Sequence, residues 1–205
     1  SNRVNKNKGG KNMEKMLKIL ASCFLIGLAY SKTIAQESSL PSWAATVQNE
    51  FRVIPDIIYR QANGIELKVD VYQSRNQDVP SPTFIYYHGG GWVGGSKEAN
   101  VLRLIPYLEK GWAVVNVQYR LGNVSLAPAA VEDSLCALRW VARNADQYGF
   151  DINRLVVSGN SAGGHLALTT GMLTEADGLD VQCPGDRMRN WDAGPRNIAP
   201  LKVAA

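Results

Sequence analysis

The chain has 205 residues, which is enough for one α/β domain with a substantial core. Its net charge of +4 is unevenly distributed: residues 1–35 carry seven lysines and arginines against one glutamate, whereas residues 36–205 carry fifteen against seventeen acidic residues. Because the body of the chain has no basic stripe, the composition argues against a nucleic-acid-binding protein. No metal, nucleotide or flavin motif is found, so we expect neither a metal nor a cofactor.

Residues 1–35 have the pattern of a leader with a signal peptide. An apolar run over 17–29 has one lysine before it and one within it. Cleavage is expected after Ala35, at the end of a short segment that suits a signal-peptide cleavage site. The run is short for a membrane-spanning helix of about 20 residues. The sequence therefore predicts a secreted or periplasmic protein with no stable membrane span after cleavage. A retained anchor, or a lipid anchor on Cys23, is the alternative.

The remaining chain reads as a flexible mature N-terminus over 36–50 and one partial domain over 51–205. Between two β-like runs lies Asn63-Gly64, a dipeptide that favours a tight hairpin because both residues tolerate positive φ. Strands are predicted at 51–61, 65–72, 83–87, 112–119 and 154–158, and helices at 97–110, 128–148 and 161–173. This order predicts a mainly parallel sheet with helices on both faces and an antiparallel hairpin at its edge, and 201–205 resembles the start of another strand.

Two cysteines follow the leader, Cys136 and Cys183. Two such residues do not indicate a disulfide framework, and neither has the spacing of a metal ligand. Cys136 falls within a helical pattern, so we expect a small, buried apolar side chain there.

The segment 159–164, Gly-Asn-Ser-Ala-Gly-Gly, follows a strand pattern and opens a helix. In a tight turn between strand and helix a serine is presented for attack, and glycines two residues to either side avoid steric clashes. The helix N-terminus lies beside the negative charge that develops during acyl transfer. We therefore predict that Ser161 is the catalytic nucleophile and that the N–H of Ala162 is one donor to the oxyanion.

The segment 88–92, His-Gly-Gly-Gly-Trp, follows another predicted strand. A loop without Cβ atoms can bring backbone N–H groups close to a bound carbonyl. The predicted oxyanion hole therefore consists of Ala162 with Gly89, Gly90 and Gly91, of which Gly89 and Gly90 are the leading candidates in the loop. Trp92 is expected either to line a pocket for the acyl group or to pin the loop.

The chain contains two histidines. His88 is expected to support the glycine segment through hydrogen bonds, and His165, one helical turn after Ser161, should point along the helix. Neither is predicted to be the catalytic base. Nor is a triad acid predicted among the aspartates of the body: Asp133 is expected to make structural hydrogen bonds, and Asp151 to act in a turn or cap, while Asp70 has no assigned role.

Four blocks, at 86–92, 117–121, 128–133 and 158–165, resemble the HGGG-type esterases and lipases of the α/β-hydrolase superfamily. The resemblance spans roughly 50–173 and is greatest to the hormone-sensitive-lipase and carboxylesterase-like group, with acetyl-xylan- or feruloyl-esterase-like secreted members. It implies a serine hydrolase that cleaves small-molecule or carbohydrate-linked carboxylic esters through an acyl-enzyme on Ser161. An amidase, formamidase or serine peptidase on the same fold, and a non-catalytic binding protein, are the alternatives.

In such enzymes the triad acid and histidine follow the serine, beyond later strands. The resemblance therefore implies that both are missing from this chain, which looks like the N-terminal two-thirds of an esterase truncated after the nucleophile helix. On this interpretation the 205 residues by themselves are inactive. Four later aspartates come too early for the family's acid: Asp177, Asp180, Asp186 and Asp192.

Overall fold

The computed structural model describes Met16, Lys18, residues 49–184 and residues 201–205. The predicted cleavage site, nearly all of the leader, most of the segment 36–50, and the aspartates 186 and 192 lie outside the described residues. Within the described part of the chain, no helix combines the length and hydropathy needed to cross a bilayer.

Three strands come first, and strands and helices then follow one another in the predicted order. The strands are β1 (Phe51–Ala62), β2 (Ile65–Ser74), β3 (Ser81–Tyr87), β4 (Ala113–Val117), β5 (Phe150–Gly159) and β6 (Val203–Ala204). The helices are α1 (Ile105–Leu108), α2 (Ala129–Arg143), α3 (Ala145–Tyr148) and α4 (Ala162–Met172), with 3-10 helices at Lys97–Arg103 and Glu175–Asp177.

These strands form one sheet in the order β1-β2-β4-β3-β5-β6. β2 pairs antiparallel with both β1 and β4, and the remaining neighbours are parallel. The hairpin turns at Asn63 and Gly64, whose φ angles of 51° and 76° are both positive, as a tight two-residue turn requires. The predicted mainly parallel sheet with an antiparallel hairpin at its edge is confirmed.

Helices cover both faces of the central strands. Ile85 and Val115 point into the larger apolar cluster, which also holds the buried side chains of α2 and α4. Their neighbours Phe84 and Val114 point the opposite way, into a smaller cluster that includes Leu108 of α1. Because both faces are covered, these strands are mostly apolar, as is usual for buried parallel strands.

The predicted helix over 97–110 is instead a 3-10 helix followed by the single turn of α1. Ser96 occupies the N-cap but makes no side-chain capping bond, and Asn100 has non-helical angles of φ −124° and ψ 16°. The Lys97 side chain is buried and held by Asp70. We attribute the departure from a regular helix to this long-range contact, which outweighs local helix propensity.

A disulfide joins Cys136 of α2 to Cys183, 47 residues later. The expected burial of Cys136 is confirmed, since its exposed fraction is 1%. Its pairing with Cys183 was not predicted, because two cysteines so far apart carry no local pattern that reveals it. Close by in sequence, Arg139 donates to Asp180 at 2.8 Å in a buried ion pair. The segment that follows α4 is therefore linked to α2 twice.

Candidate active site

The two glycine-containing segments leave the sheet side by side. β3 and β5 are adjacent parallel strands, and their last residues, Tyr87 and Gly159, are register partners. The segment after β3, residues 88–95, is called the glycine loop below, and residues 159–163 are called the nucleophile turn. Ligand sites in α/β sheets lie at the carboxyl ends of the strands, where both segments are found.

Ser161 is exposed at the N-terminus of α4 and has backbone angles of φ 53° and ψ −119°. A positive φ is uncommon for a residue with a Cβ, and such strained backbone is concentrated at functional sites. The turn is closed by the Gly163 N–H, which donates to the Asn160 carbonyl at 2.9 Å. The structure thus has the tight strand–serine–helix geometry that the sequence predicts.

The nucleophile turn presses directly against the end of β3. A Cβ on Gly163 would collide with the carbonyl oxygens of Tyr87 and His88, and one on Gly159 would collide with the backbone of Gly163. Only glycine permits this approach, which places the first turn of α4 beside the glycine loop.

The glycine loop folds around the carbonyl of Gly90, which accepts from the N–H groups of Val93 at 3.1 Å and Gly94 at 3.0 Å. Gly90 has a φ of 129°, and a Cβ there would collide with the backbone of Gly94. Among the described residues, no hydrogen-bond acceptor is found for the N–H groups of Gly90, Gly91 or Ala162. These three donors therefore remain available to a ligand.

Gly89 differs from the other loop glycines. Its N–H donates to Oδ1 of Asn160 at 3.0 Å. Since a backbone N–H engaged with a side chain is not free to bind an oxyanion, the selection of Gly89 as a leading donor is contradicted by this hydrogen bond. Gly90 and Gly91 take its place as candidates.

His88 lies buried beneath the start of the glycine loop. Its Nδ1 lies 2.8 Å from the Gly89 carbonyl, its ring stacks on Tyr119 at 4.3 Å between centroids, and its own carbonyl accepts from the Tyr119 hydroxyl at 2.7 Å. Burial lowers the pKa of the His88 imidazole, despite opposing effects of the Gly89 carbonyl and Glu98. A neutral ring that donates from Nδ1 is consistent with the predicted role in loop support.

Lys97 anchors the chain just beyond the far end of the glycine loop. Its Nζ lies 2.7 Å from Asp70 and 2.8 Å from Glu98. Burial alone would lower the pKa of Lys97, but its hydrogen bonds to Asp70, Glu98 and Asp56 outweigh burial and raise it. The hydrogen bond from Lys97 lowers the pKa of Glu98 to about 2. Asp70 therefore has a structural role. No sequence pattern around Asp70 indicated this role, because its partner Lys97 lies 27 residues away.

Trp92 contacts the segment after β4 through its carbonyl and lines a cavity with its ring. Its carbonyl accepts from the Gly122 N–H at 2.7 Å, which pins the loop to the segment after β4. Its ring lies edge-on to His165 at 5.3 Å between centroids, and both rings line a cavity of about 240 Å³. The other apolar walls of this cavity come from Ala127, Pro128, Ala130 and Val131.

Within the part of the chain that the structure describes, the remaining histidine and aspartates do not assemble a triad with Ser161. Among the described residues, no side chain hydrogen bonds to the Ser161 hydroxyl, and His165 lies exposed against Trp92. Four of the described aspartates are held by other residues: Asp133 binds Arg60 and Arg120, Asp151 binds Arg154, Asp177 accepts from Thr174, and Asp180 binds Arg139. The structural roles predicted for Asp133 and Asp151 are confirmed.

Asn160 and Tyr86 join the two segments of the site and were not predicted from the sequence. Besides Gly89, the Asn160 Oδ1 accepts from the Tyr86 hydroxyl at 2.8 Å. The only sequence signal was a polar residue immediately before the serine. Within residues 49–184 and 201–205, no cluster of three or more His, Cys, Asp or Glu side chains is arranged to hold a metal ion.

Residues 69–193, more than half of the chain, match the BD-FAE family. The chain belongs to this family. Carboxylesterase NlhH of Mycobacterium tuberculosis is 40% identical over 93 residues, which are 45% of this chain and 29% of that protein. Esterase LipI of the same species is 35% identical over 122 residues, which are 59% of this chain and 38% of that protein.

The structure is similar to that of esterase Est2 from Thermogutta terrifontis, with a TM-score of 0.55 and 30% sequence identity over 58% of this chain and 44% of that one. Together with the BD-FAE match and the esterase relatives, this establishes an α/β-hydrolase fold of the esterase and lipase type. The chain spans less than half the length of each of these relatives.

Proposed function

We propose that the protein hydrolyses carboxylic esters through an acyl-enzyme on Ser161. The observation that carries the proposal is the placement of the strained Ser161 turn beside three free backbone donors, Gly90, Gly91 and Ala162. Its relatives in the BD-FAE match region are named carboxylesterase and esterase, which favours an ester over an amide as substrate.

In the proposed reaction Ser161 Oγ attacks the ester carbonyl while its proton passes to a general base. The carbonyl oxygen becomes an oxyanion, and we propose that the N–H groups of Gly90, Gly91 and Ala162 stabilise it by hydrogen bonds. The C–O bond then breaks, the alcohol leaves with a proton from the base, and water hydrolyses the acyl-enzyme by the same steps. We assign the base and its acid partner to no described residue.

We propose a short acyl group for the substrate, held in the cavity between Trp92 and His165. The cavity is about 240 Å³ and lined largely by apolar side chains, which is smaller than the roughly 300–1,000 Å³ of pockets for drug-sized ligands. Est2 of Thermogutta terrifontis has been solved with propionate and with butyrate bound. Because Ser161 is exposed, the site leaves room for either a small or a carbohydrate-linked alcohol.

We propose further that the protein is exported. The signal-peptide pattern over residues 1–35 is one basis for this proposal. The other is the Cys136–Cys183 disulfide, because disulfides persist mainly in oxidising compartments.

The function is tested by hydrolysis of p-nitrophenyl acetate by the product of the complete open reading frame. Ser161→Ala should lower kcat by about 10⁴–10⁶-fold, because the nucleophile is lost. Ser158→Ala, which removes another hydroxyl three residues earlier, serves as the matched control and should stay near the parent rate. Equal losses in the two variants, or a Ser161→Ala enzyme that remains active, would refute the proposal.

The oxyanion assignment has a structural test. In a complex with a tetrahedral phosphonate on Ser161, the phosphonate oxygen should lie about 2.7–3.1 Å from the N–H groups of Gly90, Gly91 and Ala162. An oxygen directed away from the glycine loop would contradict the assignment, and an oxygen bound by the Gly89 N–H would restore the original expectation.

A further inference from the structure

We infer that Asn160 is a positioning residue that sets the oxyanion donors of the glycine loop relative to Ser161. This inference rests on the proposed function. Asn160 lies on the nucleophile turn, directly before the serine, yet its side chain binds the backbone of the opposite segment. It is the side chain through which the turn and the loop are hydrogen bonded to each other.

The amide orientation of Asn160 is fixed by its two donors. Oδ1 accepts from the Gly89 N–H at 3.0 Å and from the Tyr86 hydroxyl at 2.8 Å. With the amide reversed, Nδ2 would face the backbone N–H of Gly89, a contact between two donors that cannot form a hydrogen bond. Burial raises the pKa of Tyr86, so its phenol stays protonated and able to donate.

The hydrogen bond acts on the neighbouring residues of the loop. Fixing the Gly89 N–H toward Asn160 restrains the start of the glycine loop, and Gly90 and Gly91 follow directly. Because glycine has no Cβ, the backbone angles of these residues are restricted less than those of other residues. The loop therefore depends on external contacts for its conformation, and Asn160 supplies one from the same turn that carries the nucleophile.

The backbones of the glycine loop and the nucleophile turn also approach each other closely at Gly89 and Asn160. A Cβ on Gly89 would lie 2.5 Å from Asn160 Nδ2 and 2.8 Å from its carbonyl oxygen. The glycine at this position thus allows the two backbones to approach to the distance at which Oδ1 reaches the amide. Gly89 is assigned here to loop placement instead of to oxyanion binding.

The test compares three variants of the product of the complete open reading frame: Asn160→Asp, which keeps an acceptor oxygen; Asn160→Leu, which keeps the approximate shape without an acceptor; and Tyr86→Phe, which removes one donor outside the turn. Two quantities are measured for each, namely the amide hydrogen-exchange rate of Gly89 and the kcat and KM for p-nitrophenyl acetate. Thermal unfolding of each variant shows that it is folded.

Asn160→Leu should accelerate exchange at Gly89 and lower kcat by about 10–100-fold with little change in KM, because a small displacement of oriented groups can cost about 100-fold. Asn160→Asp should keep both quantities close to the parent, since a carboxylate accepts the same two hydrogen bonds. Tyr86→Phe should accelerate exchange less than Asn160→Leu, because the bond to Gly89 is retained.

Unchanged exchange and kcat in Asn160→Leu, or an equal loss in the Asp and Leu variants, would overturn the inference. If Asn160→Leu does not fold, the Gly89 exchange rate in Tyr86→Phe is the deciding measurement. Faster exchange in that variant supports the inference, and unchanged exchange contradicts it. The exchange rate also separates this inference from the proposed function. If the protein hydrolyses no ester, faster exchange at Gly89 in Asn160→Leu still supports positioning by Asn160, and unchanged exchange still refutes it.

Discussion

At the scale of single residues, the adjacent glycines Gly163 and Gly164 of α4 differ in the space available for a side chain. A Cβ on Gly163 would overlap the carbonyl oxygens of Tyr87 and His88, whereas the nearest neighbour of a Cβ on Gly164 is the Gly159 oxygen at 3.5 Å, an ordinary contact. The close approach of helix and sheet therefore depends on the first glycine and not on the second.

Gly163→Ala is expected to lower the free energy of unfolding by roughly 1–3 kcal/mol, the usual cost of forcing an extra methyl group into a packed site. Gly164→Ala should instead be neutral or raise it by roughly 0.5–1 kcal/mol, because alanine is favoured over glycine in a helix. Urea denaturation measures both. Similar effects of the two substitutions would show that the packing at Gly163 has been misassigned.

The residues of the site could be predicted only where the signal is local. Ser161 and the glycines follow from short motifs, since a tight turn needs particular residues at fixed spacing. The hydrogen bond that engages the Gly89 N–H is accepted by Asn160, 71 residues away. No local pattern carries such a contact, and for that reason the three glycines of the loop could not be distinguished from sequence.

At the scale of secondary-structure elements, α2 is joined to the sheet by a buried carboxylate. Asp133 lies 2.7 Å from Arg60 on β1 and 2.8 Å from Arg120, which follows β4. The Asp133 side chain has no exposed surface, and the two arginines are almost fully buried. Asp133 thus fixes the hairpin, the segment after β4 and α2 relative to each other.

Asp133→Asn should lower the free energy of unfolding by roughly 3–5 kcal/mol, since removing one partner leaves buried charges uncompensated. Asp151→Asn is the matched control. Asp151 pairs with Arg154, whose side chain is 56% exposed, and an exposed pair contributes little. A small effect of Asp133→Asn, comparable to that of the control, would contradict the importance of the buried network.

The elements show the same division between local and long-range information. The strands and the helices α2 and α4 were predicted because apolar periodicity and turn residues lie within each segment. The regular helix predicted over 97–110 is not found, because Lys97 forms an ion pair with Asp70, a residue of β2. The approximate position of each element was therefore available from sequence, whereas its regularity depended on its neighbours.

At the scale of the whole molecule, the Cys136–Cys183 disulfide closes a loop that contains β5 and the nucleophile turn. In the chain-entropy treatment, a loop closed by residues 47 apart corresponds to a stabilisation of about 4 kcal/mol, with measured values for native disulfides of about 2–5 kcal/mol. The disulfide thus constrains the part of the fold that carries Ser161.

Reduction with dithiothreitol should therefore lower the free energy of unfolding by about 2–4 kcal/mol. The double variant Cys136→Ala/Cys183→Ala is the control and should not respond to the reductant. Peptide mapping without reduction should recover the two cysteines in one linked species. Free thiols at both positions in protein isolated under oxidising conditions would contradict the pairing.

Ser161 is the residue on which the functional account depends, and a covalent label tests it most directly. The product of the complete open reading frame is treated with a fluorophosphonate, digested and mapped by mass spectrometry; Est2 of Thermogutta terrifontis has itself been solved phosphonylated by sarin. We predict one adduct, on Ser161, and none in Ser161→Ala. An adduct on another residue, or an enzyme that hydrolyses esters without being labelled, would contradict the account.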